Sequence, residues 1–398
     1  MENPQTLNQT PASPASAEEV KIGEARIRLE NLTNELKRVV IGHEEAVDGV
    51  VLALIAKEHV VMIGPPGTAK SFLALSLARR LNARYYTYLM TKFTTFDELV
   101  GYVDVLALSK GELRRKLSAI VEADIVFLDE IFKASSPILN ALLSLMQERV
   151  IYDPFTGTAI PARLWTLIGA SNEVPDDETQ ALYDRFAVKI FVRPISNVNT
   201  LTSILEAKWL RPPAEDVAAT MDDVKAVHDY AESLLRRRDV LQLYQVHMMP
   251  LFPLVENKGI YISDRTKVEK MPRLFAAYLA LHGVSEARAS EAAYRLIKLV
   301  ARSSDELAEI EKALNEMLGE LSKLIKMLDD AKKLYDIGEL NSALNLFRQV
   351  ALFDVESLKE KPWIVERAKA LVQEAQEYVA LIQENLARLK RLRDLAQP

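Results

Sequence analysis

Eight residues, Gly64-Pro65-Pro66-Gly67-Thr68-Ala69-Lys70-Ser71, follow the apolar run His59-Val60-Val61-Met62-Ile63. A strand that ends in a glycine-bounded turn and restarts as a helix aims successive main-chain N–H groups, and the positive end of the helix, at one point. That arrangement suits a polyphosphate. Lys70 would reach the outer phosphates as a point charge, and the Ser71 hydroxyl would take one position on the magnesium ion bridging them. The usual pattern has a second glycine immediately before the lysine. Ala69 stands there instead, which costs little if the chain is already helical at that point.

Some sixty residues on, the short apolar run Ile125-Val126-Phe127-Leu128 ends in Asp129-Glu130. Such a run is expected of a buried parallel strand, and side chains alternate along it, so the two carboxylates point different ways. Asp129 is placed to hold magnesium, directly or through water, and Glu130 to orient and polarise the attacking water. A third run, Leu164-Trp165-Thr166-Leu167-Ile168, precedes Asn172 and would bring its amide out at the same sheet edge.

The elements that must position these groups alternate. Strands are expected near 59–64, 84–89, 124–128, 164–170 and 188–192, separated by helices. This predicts an α/β fold with a parallel sheet between helical layers and nucleotide at the carboxyl ends of the strands. Residues 1–18 are polar and proline-bearing and read as a disordered tail with no apolar signal core. The α/β nucleotide-binding part is assigned to 19–195, with hairpin insertions near 98–119, turned by Gly111, and 150–163, turned at Asp153-Pro154-Phe155-Thr156-Gly157. An all-α lid is assigned to 196–302, packed over the nucleotide, and an antiparallel helical tail to 303–398. In the tail, Leu307, Ile310, Leu314, Met317, Leu321, Leu324, Leu328, Ala331 and Tyr335 space as one coiled-coil seam. After a break at Asp336-Ile337-Gly338-Glu339 and a short helix, a second seam runs Ile364, Ala368, Leu371, Ala375, Tyr378, Ile382, Leu386 and Leu389. These stripes either bury one another or form an arm for a partner.

Together these stretches resemble the AAA+ ATPases of the MoxR family, and within it the RavA branch, over roughly residues 35 to 285. The resemblance is carried by Val40-Ile41-Gly42-His43, the phosphate loop with its alanine, Tyr88-Leu89-Met90-Thr91-Lys92-Phe93, and Phe127-Leu128-Asp129-Glu130-Ile131-Phe132-Lys133-Ala134. Downstream it continues through Gln147-Glu148-Arg149, Gly169-Ala170-Ser171-Asn172-Glu173 and Ala181-Leu182-Tyr183-Asp184-Arg185-Phe186. It implies an AAA+ P-loop core followed by the lid and tail, with ATP and Mg2+ as cofactors. Ile41 and Gly42 would border the nucleotide with residues Gly64 to Ser71, and Asn172 would be the polar sensor helping to place the water. Arg185 stands where the family carries an arginine finger, offered to a neighbouring subunit's terminal phosphate; the competing reading is an ion pair within its own chain, with Asp184 or a nearby acid. Arg265 resembles the lid's sensor arginine, with Arg273 as its rival, acting within its own subunit or on a neighbour. The resemblance further implies a homo-oligomeric ring, six subunits by expectation, a von Willebrand factor A domain partner and a protein client.

Composition limits the alternatives. The chain has 398 residues, 49% apolar and 27% charged, with no cysteine, which excludes disulfides and thiolate metal sites and suits the cytoplasm. The five histidines show no ligand spacing, and no apolar stretch is long enough to span a bilayer. A net charge of −6 argues against a nucleic-acid motor, which needs clustered Lys and Arg, although Lys110, Arg114, Arg115 and Lys116 keep that class open. A low-turnover nucleotide-dependent scaffold is the third reading.

Overall fold

The computed structural model describes residues 17–175, 179–210, 216–336, 338–355 and 362–395. The chain opens with α1 (Ala17–Val39) and α2 (Glu44–Ala56), then β1 (Val60–Ile63), α3 (Lys70–Arg80), β2 (Tyr85–Leu89) and α4 (Phe96–Val100). A small insertion follows, β3 (Gly101–Val103), α5 (Val105–Ser109) and β4 (Arg115–Leu117), before β5 (Ile125–Asp129) and α6 (Ser136–Glu148). The hairpin β6 (Val150–Tyr152) and β7 (Ala159–Pro161) leads to β8 (Thr166–Ser171), α7 (Gln180–Tyr183) and β9 (Val188–Phe191). Helices α8 (Val198–Trp209), α9 (Met221–Leu234), α10 (Arg238–His247), α11 (Leu251–Glu256), α12 (Met271–His282) and α13 (Glu286–Leu296) come next. The chain ends with α14 (Ser304–Leu318), α15 (Glu320–Asp336), α16 (Leu340–Ala351) and α17 (Pro362–Leu395).

Five strands form one sheet in the order β2-β5-β8-β1-β9, every neighbouring pair parallel. Because β1 and β8 are wholly buried, both faces must be apolar, and alternate residues feed opposite layers. Val60 and Met62 join the cluster containing α1, α2 and α3, whereas Val61 and Ile63 join the one containing α6. Parallel pairing then gathers the carboxyl ends: Ile63 is level with Ser171, and Leu89 with Asp129. Whatever follows these strands shares one edge. The fold is therefore the expected AAA+ α/β core with helical additions.

Two expectations need correcting, the extent of the first tail and the course of the long seam. The tail expected over 1–18 lies outside the described residues up to position 16, and α1 is already formed at Ala17. The lid, expected over the nucleotide, packs against α1. The α9 residues Val224, Val227, Ala231 and Leu234 bury in the same cluster as Leu29, Leu32 and Leu36 of α1, with Arg28 paired to Asp223 at 2.8 Å. The seam expected to run from Leu307 to Tyr335 is two helices broken at Gly319, at φ 48°. Ile310 and Leu314 belong to the main core, while Leu321, Leu324, Leu328 and Ala331 pack with α16 and α17. In the second seam Ala368, Leu371, Ala375 and Ile382 are buried in that tail cluster, with Tyr378 and Leu386 packed against it. Ile337 and the side chains of Ile364 and Leu389 lie outside the described residues.

Candidate nucleotide site

The phosphate loop joins β1 to α3 and takes its shape from close contact with β9. A Cβ on Gly64 would stand 2.1 Å from the Val192 carbonyl oxygen, so only glycine fits. Gly67 turns the chain at φ 80°, Pro65, Pro66 and Gly67 are exposed, and the Thr68 hydroxyl donates to the Pro65 carbonyl at 2.8 Å. Ala69 corrects the expectation of a helical residue: it sits at φ 60°, ψ 16°, in the left-handed region just before α3. That conformation costs an alanine about 1 kcal/mol. Lys70, the first residue of α3, is nearly buried. Its ammonium donates to the carbonyls of Gly64 and of Pro65 (3.0 Å) and to Asn172 Oδ1 at 3.2 Å. Burial lowers its pKa from the ordinary lysine value, while Asp129 and Glu130 pull it back upward.

Asp129 ends β5, and its Oδ2 accepts from the Ser71 hydroxyl at 3.4 Å. This is a loose contact for two oxygens, and both belong to the donor class that suits a hard divalent cation. Glu130 occupies a second left-handed position, φ 51° and ψ 41°, which turns its carboxylate away from that of Asp129. Asn172 Nδ2 donates to Oε1, and Lys133 Nζ pairs with Oε2 at 3.2 Å. Two strained residues, Ala69 and Glu130, thus flank one space, the distribution expected where geometry is set for binding or chemistry rather than for stability. Among the described residues no group of three His, Asp or Glu side chains forms a metal-ligand cluster, so a cation here would rest on Ser71, Asp129 and its own bound ligand.

Gly42, at φ 84°, packs closely against the segment after β9: its Cβ would meet Ile195 and Thr200 side chains within 3 Å. It borders a cavity of about 900 Å³ between α1, α2, the segment after β9 and the lid. Neither Ile41 nor any residue from Gly64 to Ser71 lines that cavity.

The arginines lie elsewhere. Arg185 stands between α7 and the start of β9, where Ala187 and Val188 N–H groups bond the carbonyl of His59. His59 precedes β1 and Gly64 follows it, so this edge is about 17 Å from the phosphate loop at ~3.3 Å per residue. The guanidinium faces the Gln147 amide, whose oxygen, turned toward it, accepts from Nη2 at 2.9 Å. The Asp184 carboxylate named in the competing reading pairs with Arg302 at 2.5 Å. Arg265 pairs with Glu269 (2.9 Å), and Arg273 with Glu58 (3.1 Å), beside His59. Lys270, which bonds the Asp184 carbonyl, is affected by burial and then by Glu58, Arg265, Asp184 and Arg185, so both arginines lie toward Arg185's edge. Three contacting residues, Lys133, Gln147 and Arg302, had no role assigned from sequence. Lys133 and Gln147 stand within stretches that carry the resemblance, and Lys133 also has its three-residue spacing from Glu130; Arg302 carried no signal.

A phosphate loop after β1, an acidic pair after β5, an asparagine after the intervening β8 and an added helical lid define an AAA+ P-loop ATPase. The chain belongs to the MoxR family: the family model described as the MoxR domain in the MoxR-vWA-beta-propeller ternary systems matches residues 27–230. An uncharacterized protein of Methanocaldococcus jannaschii is 33% identical over 262 residues, covering 65% of this chain and 68% of the relative. The chaperone MoxR1 of Mycobacterium tuberculosis is 27% identical over 199 residues, covering 49% and 52%. A solved Cytophaga hutchinsonii structure, described as a candidate ATPase, superposes with a TM-score of 0.57 at 18% identity, covering 75% of this chain and 96% of that one. At that identity it speaks for the fold alone. No helix among the described residues is long and apolar enough to cross a membrane.

Proposed function

We propose that this chain hydrolyses ATP with magnesium between identical subunits of a ring of six, and uses the turnover to remodel or activate a protein client beside a von Willebrand factor A domain partner. The hydrolytic part rests on one observation: Lys70 after β1, Glu130 after β5 and Asn172 after β8 form a continuous hydrogen-bonded chain at one sheet edge. The residues present fit a magnesium nucleotide, because Gly64 and Gly67 keep the loop backbone open and Ser71 and Asp129 offer two oxygens to a hard cation. When bound, the cation would neutralise phosphate charge. Loop N–H groups and Lys70 would hold the phosphates, Glu130 would orient water, and Asn172 would fix the Glu130 carboxylate.

Arg185 cannot reach its own chain's loop across about 17 Å of sheet, which supports an action on the neighbouring subunit, with Arg265 on the same side. The partner and client follow from the family description that names ternary systems and from the chaperone relative; the RavA-like branch stays a proposal resting on motifs. A nucleic-acid role is less well supported, because Arg115 of the basic stretch is buried between Asp97 and Asp153, and Arg114 pairs with Glu112 at 2.9 Å. The test is Glu130→Gln: ATP affinity should persist while turnover falls at least about 10²-fold. Turnover near the parent rate would remove the role assigned to Glu130.

A further inference from the structure

We infer that Arg302 and Lys270 are positioning residues for Arg185, so that the lid and the segment entering the tail set how that guanidinium is presented. The inference rests on the finger reading of Arg185 and deepens it. Four consecutive residues, Tyr183 to Phe186, carry this arginine, and the three others are each tied down from outside. The Tyr183 hydroxyl donates to the Arg302 carbonyl at 2.8 Å, across 119 residues of chain. Arg302 Nη2 returns to Asp184 Oδ1 at 2.5 Å. Lys270, nearly buried at the start of α12, donates to the Asp184 carbonyl oxygen. Lys189 donates to the Phe186 carbonyl at 3.1 Å and lies over the Tyr183 ring.

Arg302 is itself anchored at the entry to α14, where its N–H donates to Glu306 at 2.7 Å. The loop is thus clasped by α12 on one side and by the α13–α14 connection on the other, leaving the Arg185 side chain to face Gln147. Burial pushes the Lys270 ammonium down to about 8 and that of Lys189 to about 7, as expected of lysines spent on main-chain carbonyls rather than on carboxylates.

The Arg302–Asp184 pair is half exposed, 31% and 46%, so it adds little to stability. A displacement of the loop by about 1 Å, however, is enough to cost about 10²-fold in rate at a group acting on a transition state. Function, not folding, is where removal should be felt.

The experiment uses the full chain. Arg302→Met and Asp184→Asn should each lower kcat for magnesium ATP tenfold or more, with KM within about twofold and the thermal midpoint nearly unmoved. The double variant should be no worse than either single one, and Arg302→Lys should recover most of the loss. Mixed with Lys70→Ala chains, Arg302→Met chains should regain turnover as Arg185→Ala chains do, because a sound neighbour then presents its arginine to an intact phosphate loop. Wild-type kcat in both single variants, with Arg185→Ala inactive, would overturn the positioning role and leave the finger reading standing. A loss that mixing does not restore, while it restores Arg185→Ala, would also overturn it. Full turnover by Arg185→Ala would take away the finger reading and this inference together.

Discussion

Lys70 Nζ and Asn172 Oδ1 lie 3.2 Å apart although 102 residues separate them in sequence. Their strands, β1 and β8, are neighbours in register, and the same amide uses its nitrogen on Glu130. Asn172 therefore divides one side chain between the cation that would meet the outer phosphates and the carboxylate that would meet water. Asn172→Ala should lower turnover about 10²-fold, the usual scale for losing one preorganised polar group, while nucleotide affinity changes only a few-fold because Lys70 and the loop backbone remain. Steady-state kinetics beside equilibrium nucleotide titration would decide this. A loss confined to affinity would move Asn172 from orienting the carboxylate to holding the phosphates.

Ala69 offers a test of strain. At φ 60° and ψ 16° its Cβ crowds the backbone, a cost of about 1 kcal/mol that glycine avoids. Glycine also enlarges the unfolded ensemble, which offsets part of the gain. Ala69→Gly should raise stability by about 0.5 kcal/mol, read as a higher urea midpoint at constant slope. A lower midpoint would mean that the loop relies on the alanine side chain more than it suffers from its conformation.

That residue also marks where legibility stops. The phosphate loop and the Asp129-Glu130 pair are local patterns, a strand followed by a turn or by acids, and the structure brings both to one edge because parallel strands end together. The left-handed φ at Ala69 carries no such local signal, since an alanine by itself favours the right-handed region. The lid was legible as helix from its periodicity, but its seat was not, since that depends on α9 meeting α1 almost two hundred residues away. The long seam failed for a related reason. Heptad spacing continues straight through Gly319, whereas the backbone turns there and sends Leu314 and Leu321 into different cores.

His59 predicts a pH dependence of stability. It is buried under β1 and β8, where its Nδ1 accepts from the Leu167 N–H at 3.0 Å and its Nε2 lies 2.9 Å from the Met146 carbonyl. Burial first, then the adjacent Arg149 charge, pushes its pKa down to about 3. Below the unfolded value near 6.5 the unfolded chain binds the proton and the folded chain does not, so stability must fall as pH drops from 6.5 toward 3. Between pH 7 and 5 this one site should remove about 2 kcal/mol. His59→Asn keeps an acceptor and a donor but cannot titrate, so urea unfolding at the two pH values should show a shallower loss in the variant. Parallel pH slopes would show that the imidazole is already accessible to protons in the fold.

Arg115 joins the two inserted hairpins into one unit. It is 5% exposed on β4, bonds the Gly101 carbonyl and Asp97, and reaches Asp153 of the other hairpin at 2.7 Å, with Phe155 and Phe96 rings near its guanidinium. Asp153 is 8% exposed, and although burial opposes its charge, Arg115 and the Phe155 and Thr156 N–H groups hold its pKa below the usual carboxylate range. Arg115→Met leaves that carboxylate buried with only its backbone donors, a situation costing about 3 kcal/mol. Asp153→Asn in the same chain should recover part of this by removing the unpaired charge. Hydrogen exchange should therefore quicken at residues 101–117 and 150–161 together in Arg115→Met, more than in the double variant, while β1, β5 and β8 keep their protection. Faster exchange in one hairpin alone would show that the contact with Asp153 does not couple them, and that each insertion moves independently of the other.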